Sequence, residues 1–314
     1  MSHIRVAISG GGLAGATLFH ALQRFPHLDV HIFESAAAFK EAGMAIGVTR
    51  NALAALDLMG PSAVQALERA GAVPMRGVRF MLAEGEGQGS VLDEVDEMTS
   101  GQRLTNIVHR AAFLQELLAG APKQRMHISK RLDRADRKAD GSITMHFTDG
   151  TTQDCDILIG ADGIHSTVRK LILGNDPAAM PRNTGVWLIM TLQSYEDAQT
   201  SIGEGTINFE EALEYSWIGR GAYILHNLLN GGELVQFVVA SSDEDVGPDQ
   251  WHRTVSAEEI KRLYREWPPQ LVKAVDERIV ESSRGTGNIL LGNSEDASKY
   301  VKTPGTLLRS SPNK

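Results

Sequence analysis

The sequence predicts an α/β protein in two parts: a body built on a parallel sheet, then a mainly antiparallel β-sheet domain. Three observations predict this. An apolar run, Ile4-Arg5-Val6-Ala7-Ile8-Ser9, enters the turn Gly10-Gly11-Gly12-Leu13-Ala14-Gly15, which opens a helical stretch to about Arg24; a second strand over Leu28 to Phe33 ends on Glu34. Much later, the run Asp156 to Ile159 stops at Gly160-Ala161-Asp162-Gly163, and a helix starts near Ser166. From Val186, short β-type runs alternate with Gly and Asn turns, the pattern of a meander.

The first of these has a specific physical content. Gly10 permits a tight turn off the strand, Gly12 lets the backbone approach a diphosphate, and Gly15 lets the helix pack closely on the strand. The helix begins with Leu13 and Ala14, and its N-terminus offers N–H groups and partial positive charge to the diphosphate. Glu34, nineteen residues after Gly15, is placed to accept hydrogen bonds from a ribose. A carboxylate there favours a free 2′-hydroxyl, so the adenosine belongs to FAD or NAD rather than NADP.

After Glu34 a loop leads through Gly43-Met44-Ala45-Ile46-Gly47 to a helix over about Ala52 to Leu58, stopped by Gly60-Pro61. The next helix, Ser62 to Ala70, takes Ser62 as N-cap and ends at Gly71. Val78 to Leu82 reads as a strand, and Ala111 to Leu118 as a helix with Phe113, Leu114, Leu117 and Leu118 on one face. Strands follow near Met126 to Ile128 and Ser142 to Phe147, and Asp149-Gly150 marks a hairpin turn before Asp154 to Ile159. At Asp162 the spacing leaves two readings open. The turn is a ligand-binding strand end of a doubly wound sheet, or a plain strand–helix turn with Asp162 as an acid at the helix start. Beyond Val186 to Leu192, the expected strands are Thr206 to Phe209, Glu214 to Ile218, Ala222 to His226 and Glu233 to Ala240. Helical stretches at Glu258 to Arg265 and Gln270 to Val275 close the pattern, which fails past about Ser282; the polar tail from Asn293 is expected to be disordered.

The bulk composition narrows the classes. Of 314 residues, 42% are hydrophobic and 22% charged, the profile of a globular protein large enough for two domains. A net charge of -8 argues against nucleic acid or an acidic membrane face as partner. The single cysteine, Cys155, excludes an internal disulfide and a cysteine-rich metal site, and its strand position suits a buried core thiol; no metal site is expected. No apolar run is long enough for a membrane span, and the first strand begins by residue 4, so the expectation is a cytoplasmic protein.

Together, the Gly10 to Gly15 turn with Glu34, His109-Arg110, and Gly160-Ala161-Asp162-Gly163 with its His165-Ser166-Thr167-Val168-Arg169 extension resemble the FAD-dependent aromatic hydroxylases, single-component flavoprotein monooxygenases of the salicylate hydroxylase and para-hydroxybenzoate hydroxylase type. The match runs in order over roughly residues 4 to 280. The resemblance implies a Rossmann-like FAD-binding domain over 1–175, with 75–105 contributing to the substrate domain. It further implies a mainly antiparallel β-sheet substrate domain over 176–270, and leaves 271–314 as a truncated or irregular segment.

Carried over residue by residue, the resemblance implies that Gly10, Gly12, Leu13, Ala14 and Gly15 cradle the FAD diphosphate and that Glu34 holds the adenosine ribose. Arg110 would contact the flavin side, Asp162 and Gly163 would form the family's second cofactor motif, and Gly47 would lie in a loop near flavin and substrate. The implied activity is hydroxylation of a phenolic or other aromatic small molecule with NAD(P)H and O2, in secondary metabolism. A phenol reacts best when partly deprotonated, so a histidine with a pKa near neutrality suits as base; His226 is the candidate, with Tyr215 orienting it. The family's third motif, Gly-Asp, is matched only by Gly292-Asn293, so the shortened C-terminus is expected to hold the ribityl chain poorly. Two alternatives stay open: another flavin-dependent oxidoreductase, or a non-catalytic remnant that binds FAD weakly. The sequence settles neither the oligomeric state, nor the substrate, nor NADH against NADPH.

Overall fold

The protein is described by a computed structural model covering residues 3–40, 45–97, 103–174, 176–177, 180–181, 183–202, 207–242, 254–276 and 289–290. The chain divides into two compact units: Met1–Ala42 with Ala54–Ala70 and Arg110–Pro181, and Gly43–Leu53 with Gly71–His109 and Arg182–Lys314.

The first unit is built on a parallel sheet. Strand Ile4–Ser9 lies between strand Leu28–Phe33 and strand Ile157–Gly160, with the short strand Met126–His127 beyond Leu28–Phe33. The crossover from Ile4–Ser9 to Leu28–Phe33 is the helix Leu13–Leu22. Parallel strands are covered on both faces and so read as near-continuous apolar runs, which is why Val6, Ala7, Ile8, Val30, Ile32 and Phe33 are all buried. Helix Leu13–Leu22 packs with helices Pro61–Arg69 and Arg110–Leu118 through Phe19, Ala63, Ala66, Leu114 and Leu117. Their polar fastening is His20, whose Nδ1 and Nε2 lie 2.9 Å from Leu117 O and Ser62 Oγ. Ser62 therefore does not cap its helix; Gly60 is the N-cap and Pro61 stands at N1, where a missing N–H costs nothing.

A three-stranded antiparallel sheet (Leu132–Arg137, Ile143–Phe147, Thr152–Cys155) joins this unit, its hairpin turning at Asp149-Gly150 with Gly150 at φ 83°. Cys155, the last residue of its third strand, is 1% exposed, and burial pushes its thiol up to about 11, the state of an inert core residue. The strand Leu132–Arg137 has no clear signature because four of its six residues are charged.

The second unit carries a six-stranded sheet in the order Val186–Ser194, Leu234–Ser242, Ala222–Leu229, Leu213–Ile218, Gly77–Leu82, Val91–Asp96. It is antiparallel except where Leu213–Ile218 meets Gly77–Leu82 in parallel, so residues 77–96 are part of this sheet. One face packs on helices Tyr195–Ile202, Ala257–Tyr264 and Pro269–Ala274 through Ile189, Phe237, Val239, Ile224, Trp217 and Met81. The other face is met at one end by a second small sheet (Ala45–Val48, Val73–Met75, Thr105–His109), where Met75, Ile107 and Leu229 form a separate core. The expected strand Thr206 to Phe209 is not one: Phe209–Glu211 is a 3-10 turn capped by Asn208, which closes on Ala212 at φ 53°. Thr206, Gly43, Met44 and Asn293 lie outside the described residues. Among the described residues no helix is long and apolar enough to cross a membrane, and no group of three or more His, Cys, Asp or Glu side chains is set to hold a metal.

Candidate functional site

The glycine turn is shaped by contacts that leave no room for side chains. Gly10 has φ 108°, a conformation only glycine adopts readily, and a Cβ there would lie 2.2 Å from Ala161 O. A Cβ on Gly15 would lie 1.9 Å from Gly10 O, so the third glycine seats the helix on its own turn. Gly12 is the N-cap at φ -71°, a value open to any residue; its backbone does not itself require glycine. Helix Leu13–Leu22 carries no acidic residue in its first turn, so its positive end is not cancelled locally; Leu13 is half-buried and Ala14 exposed there.

Gly11 belongs to this cradle although the fingerprint does not single it out. Its Cβ would meet the Phe39 ring at 2.6 Å and Glu34 Cβ at 2.8 Å. Its N–H donates to Glu34 Oε2 at 2.7 Å, and Glu34 Oε1 accepts from Ala36 N at 2.6 Å and Ser35 Oγ at 3.1 Å. The second strand thus delivers Glu34 back to the glycine turn and fixes both its oxygens. A carboxylate has about four acceptor positions, so three donors leave capacity for a further hydroxyl. The signal for Gly11 was present in the triple glycine.

The second turn sits beside the first. Ala161 N donates to Ser9 O at 2.7 Å, and it is Ala161 O that Gly10 approaches. Asp162 accepts from Ser166 Oγ at 2.5 Å through Oδ1, and from Thr167 N at 2.7 Å and Val168 N at 3.2 Å through Oδ2. Those bonds take up orphan N–H groups at the start of helix Thr167–Leu173, with Ser166 as N-cap to Arg169 N. Gly163 follows at φ 74°, and a Cβ on Gly160 would meet Val168 Cβ at 2.7 Å. Asp162 is, in this geometry, the acid at a helix start. Arg110 opens helix Arg110–Leu118 and is half-buried. Gly47 belongs to the second unit, paired with Ile107 and exposed; a Cβ there would make only ordinary contacts.

The candidate base requires correction. His226 is fully buried in the second unit, its ring stacked 5.1 Å from Tyr215 and set against Phe209 and Phe237. Its Nε2 accepts from Trp217 Nε1 at 3.2 Å, so Nδ1 carries the proton, and that atom has no hydrogen-bond partner among the described residues. Burial pushes its pKa down to about 3. A base for a phenol needs access and a pKa near neutrality, and His226 has neither. Nor does Tyr215 orient it by a hydrogen bond: the Tyr215 hydroxyl, also buried, accepts from Arg79 Nη1 at 3.1 Å and Asn208 N at 3.0 Å. Alternation along the strand explains both, since Tyr215 and His226 point to the helix-packed face of the sheet.

No family model matches the chain. Among curated proteins it is 34% identical over 280 residues to 6-methylsalicylate 1-monooxygenase of Aspergillus terreus, covering 85% of this chain and 60% of that protein. It is 32% identical over 255 residues to an FAD-dependent monooxygenase of Monascus ruber, covering 78% and 55%, and 29% identical over 253 residues to salicylate hydroxylase of Pseudomonas putida, covering 79% and 57%. The chain therefore spans little more than half the length of these relatives. Of solved structures, a salicylate hydroxylase substrate complex superposes with a TM-score of 0.71 at 20% identity, over 88% of this chain and 66% of that one. HpxO of Klebsiella pneumoniae, in complex with FAD and uric acid, gives 0.68 at 21%, over 87% and 64%.

Proposed function

The chain is related by sequence and fold to the FAD-dependent monooxygenases of the salicylate hydroxylase type, and from that premise we propose that it binds FAD and hydroxylates a phenolic or related aromatic small molecule with NAD(P)H and O2. The observation that carries the proposal is the double turn, in which Gly10 and Gly15 let helix Leu13–Leu22 start in close backbone contact with its strand and with the second turn, while Gly11 N–H holds the Glu34 carboxylate beside that helix start. The fit to the adenosine and diphosphate part of FAD is good on chemical grounds: backbone N–H groups and a helix N-terminus for the diphosphate, a carboxylate for ribose hydroxyls.

Bound FAD supplies electron transfer and oxygen activation, and the protein supplies position and electrostatics. Gly10 and Gly15 hold the helix end against the strand, so that the diphosphate meets backbone rather than side chains. Glu34 selects the unphosphorylated ribose. Asp162 stiffens the second turn, and Arg110, at the start of its helix, would supply a positive charge to the flavin part of FAD.

The test is direct. Protein purified without cofactor is titrated with FAD and followed by quenching of flavin fluorescence, then reduced anaerobically with NADH and with NADPH across a panel of phenols. Flavin reduction accelerated by a phenol and, once O2 is admitted, a product with one added oxygen atom drawn from O2 are the expected results. A protein that stays colourless in excess FAD overturns the proposal, and a product without added oxygen replaces hydroxylation by another flavin-dependent oxidation.

A further inference from the structure

Glu34 is held from two sides. Its carboxylate is fixed on the glycine turn through Gly11 N–H. Its backbone is fixed from the other side by the short strand Met126–His127 and the turn after it. Glu34 N–H donates to His127 O at 2.7 Å, Lys130 N–H donates to Glu34 O at 2.8 Å, and Ser129 N–H donates to Ala36 O at 2.8 Å. Only Met126 and His127 pair in register, with Ile32 and Phe33, so this strand has little ladder of its own. A side-chain contact adds to it. The His127 ring stacks on Phe33 with centroids 4.6 Å apart, and its Nε2 lies 2.8 Å from Nδ1 of His31, two residues before Phe33 on the same strand face. All of these residues belong to the first unit.

The histidine pair has a limited capacity for protons. His31 Nε2 lies 3.3 Å from Asp29 Oδ1, and a carboxylate only accepts, so that nitrogen carries the proton, Nδ1 accepts and His127 Nε2 donates. One added proton is tolerated, since a single hydrogen still lies between the facing nitrogens. Two are not: both facing nitrogens then carry hydrogen, the bond is lost, and two positive rings oppose each other.

We propose that the His31–His127 pair is a proton-operated latch on Glu34. Closed, it keeps the strand Met126–His127 against Leu28–Phe33 and so sets the position of the Glu34 carboxylate. Filled with protons, it opens, and the grip on the adenosine ribose loosens. His127 is thus a positioning residue that acts through Glu34. This rests on the FAD reading given above and adds to it an acid limit on cofactor retention.

Burial, then the charges of His31 and Lys130, lowers the pKa of His127 in the closed latch. In the open latch the ring has the ordinary value of about 6.5, so the open state takes the proton more readily and the latch weakens as pH falls below that value. The charged groups around the pair are Asp29 and Arg125 beyond His31, the Arg5–Asp156 pair across the parallel sheet, and Lys130 with Asp149 beside His127. The antiparallel sheet packed on Phe33 brings Phe147 and Cys155, while its His146–Asp136 pair lies on its other face.

The experiment compares wild type, His127→Gln and His127→Phe, each as the full chain, from pH 5.5 to 7.5. It reads the protection of the Glu34 amide against hydrogen exchange in cofactor-free protein, and the FAD dissociation constant by quenching of flavin fluorescence. In wild type both should weaken from pH 7 to 5.5 by roughly three- to tenfold, the scale set by one proton. The amide of His127→Gln donates to His31 but takes no proton, so both of its profiles should stay flat within about twofold. His127→Phe keeps the stack and drops the hydrogen bond, so its Glu34 protection at pH 7 should be about fivefold below wild type. A flat wild-type profile overturns the inference, as does a pH dependence shared by all three proteins. An FAD affinity that stays constant while Glu34 protection falls overturns the link to the cofactor. If His127→Gln does not fold, His31→Gln replaces it: its amide oxygen accepts from His127 in either protonation state, so its profiles should be flat too. Wild type that binds no FAD at any pH refutes the FAD reading alone, because Glu34 protection in cofactor-free protein still decides the latch.

Discussion

Two groups of the second unit, the fully buried His226 and the half-buried Glu214, titrate in opposite senses, and their cancellation can be measured. His226 has a folded pKa of about 3 against an ordinary 6.5. Between those values the unfolded chain holds a proton that the folded chain refuses, so acidification below pH 6.5 costs stability, about 1.4 kcal/mol per pH unit. Glu214 has a folded value of about 7 against an ordinary 4.5. Between those values the folded chain holds the extra proton, so its contribution rises on acidification from pH 7, again by about 1.4 kcal/mol per pH unit. From pH 6.5 to 5 the two cancel in wild type. Glu214→Gln removes one side and should lose roughly 2 kcal/mol over that interval relative to wild type, while His226→Gln should gain roughly 2 kcal/mol. The half-buried His109 and His127 are lowered by burial as well, but they are common to all three proteins and drop out of the differences. Urea unfolding at pH 5, 5.5, 6 and 6.5 measures this by tryptophan fluorescence, since all four tryptophans lie in the second unit. Stability curves that stay parallel in the three proteins, within about 0.5 kcal/mol, refute the assignment of burial to either group.

Three further outcomes follow from the first unit. Gly15→Ala places a methyl 1.9 Å from Gly10 O and should cost about 3 kcal/mol or more, with loss of FAD binding, read by thermal unfolding and flavin fluorescence. Asp162→Ala strips the acceptor from the Ser166 hydroxyl and from the Thr167 and Val168 amides; it should cost about 1 to 2 kcal/mol and raise hydrogen exchange at the Thr167 and Val168 amides. Cys155, 1% exposed with its thiol held at about 11, should resist iodoacetamide at pH 8 in folded protein and react fully in urea, as mass spectrometry would show.

The parallel part of the fold was legible because its strands are continuous apolar runs ending in glycine turns, and backbone demands at Gly10 and Gly15 are local. The strand Val91–Asp96 was not legible: three of its six residues are acidic, and what places it in the sheet is pairing with Gly77–Leu82, a contact no local pattern encodes. Helix Tyr195–Ile202 was hidden for a related reason, being polar except for Tyr195, Ala198 and Ile202. For the site, the strand Glu214 to Ile218 was expected, yet Tyr215 and His226 were singled out by residue type and strand, without regard to which face of the sheet each occupies. The alternation that sends them to the helix-packed face is the same alternation that brings Glu214 to the other. Choosing residues by type before fixing the face selected core side chains.

The strand Ile157–Gly160 borders the parallel sheet, and on its outer side no described strand pairs with it; Ile157 is 44% exposed there. An apolar strand edge that no described strand covers is a template for a foreign chain, and the residue before it, Asp156, ties both carboxylate oxygens to Arg5 and so places an ion pair at the start of that edge. The feature governs handling more than chemistry. Colloidal behaviour should turn on this pair, and neutralising Asp156 should lower the concentration at which purified protein starts to form higher-order species, an effect light scattering would detect long before any change in melting temperature.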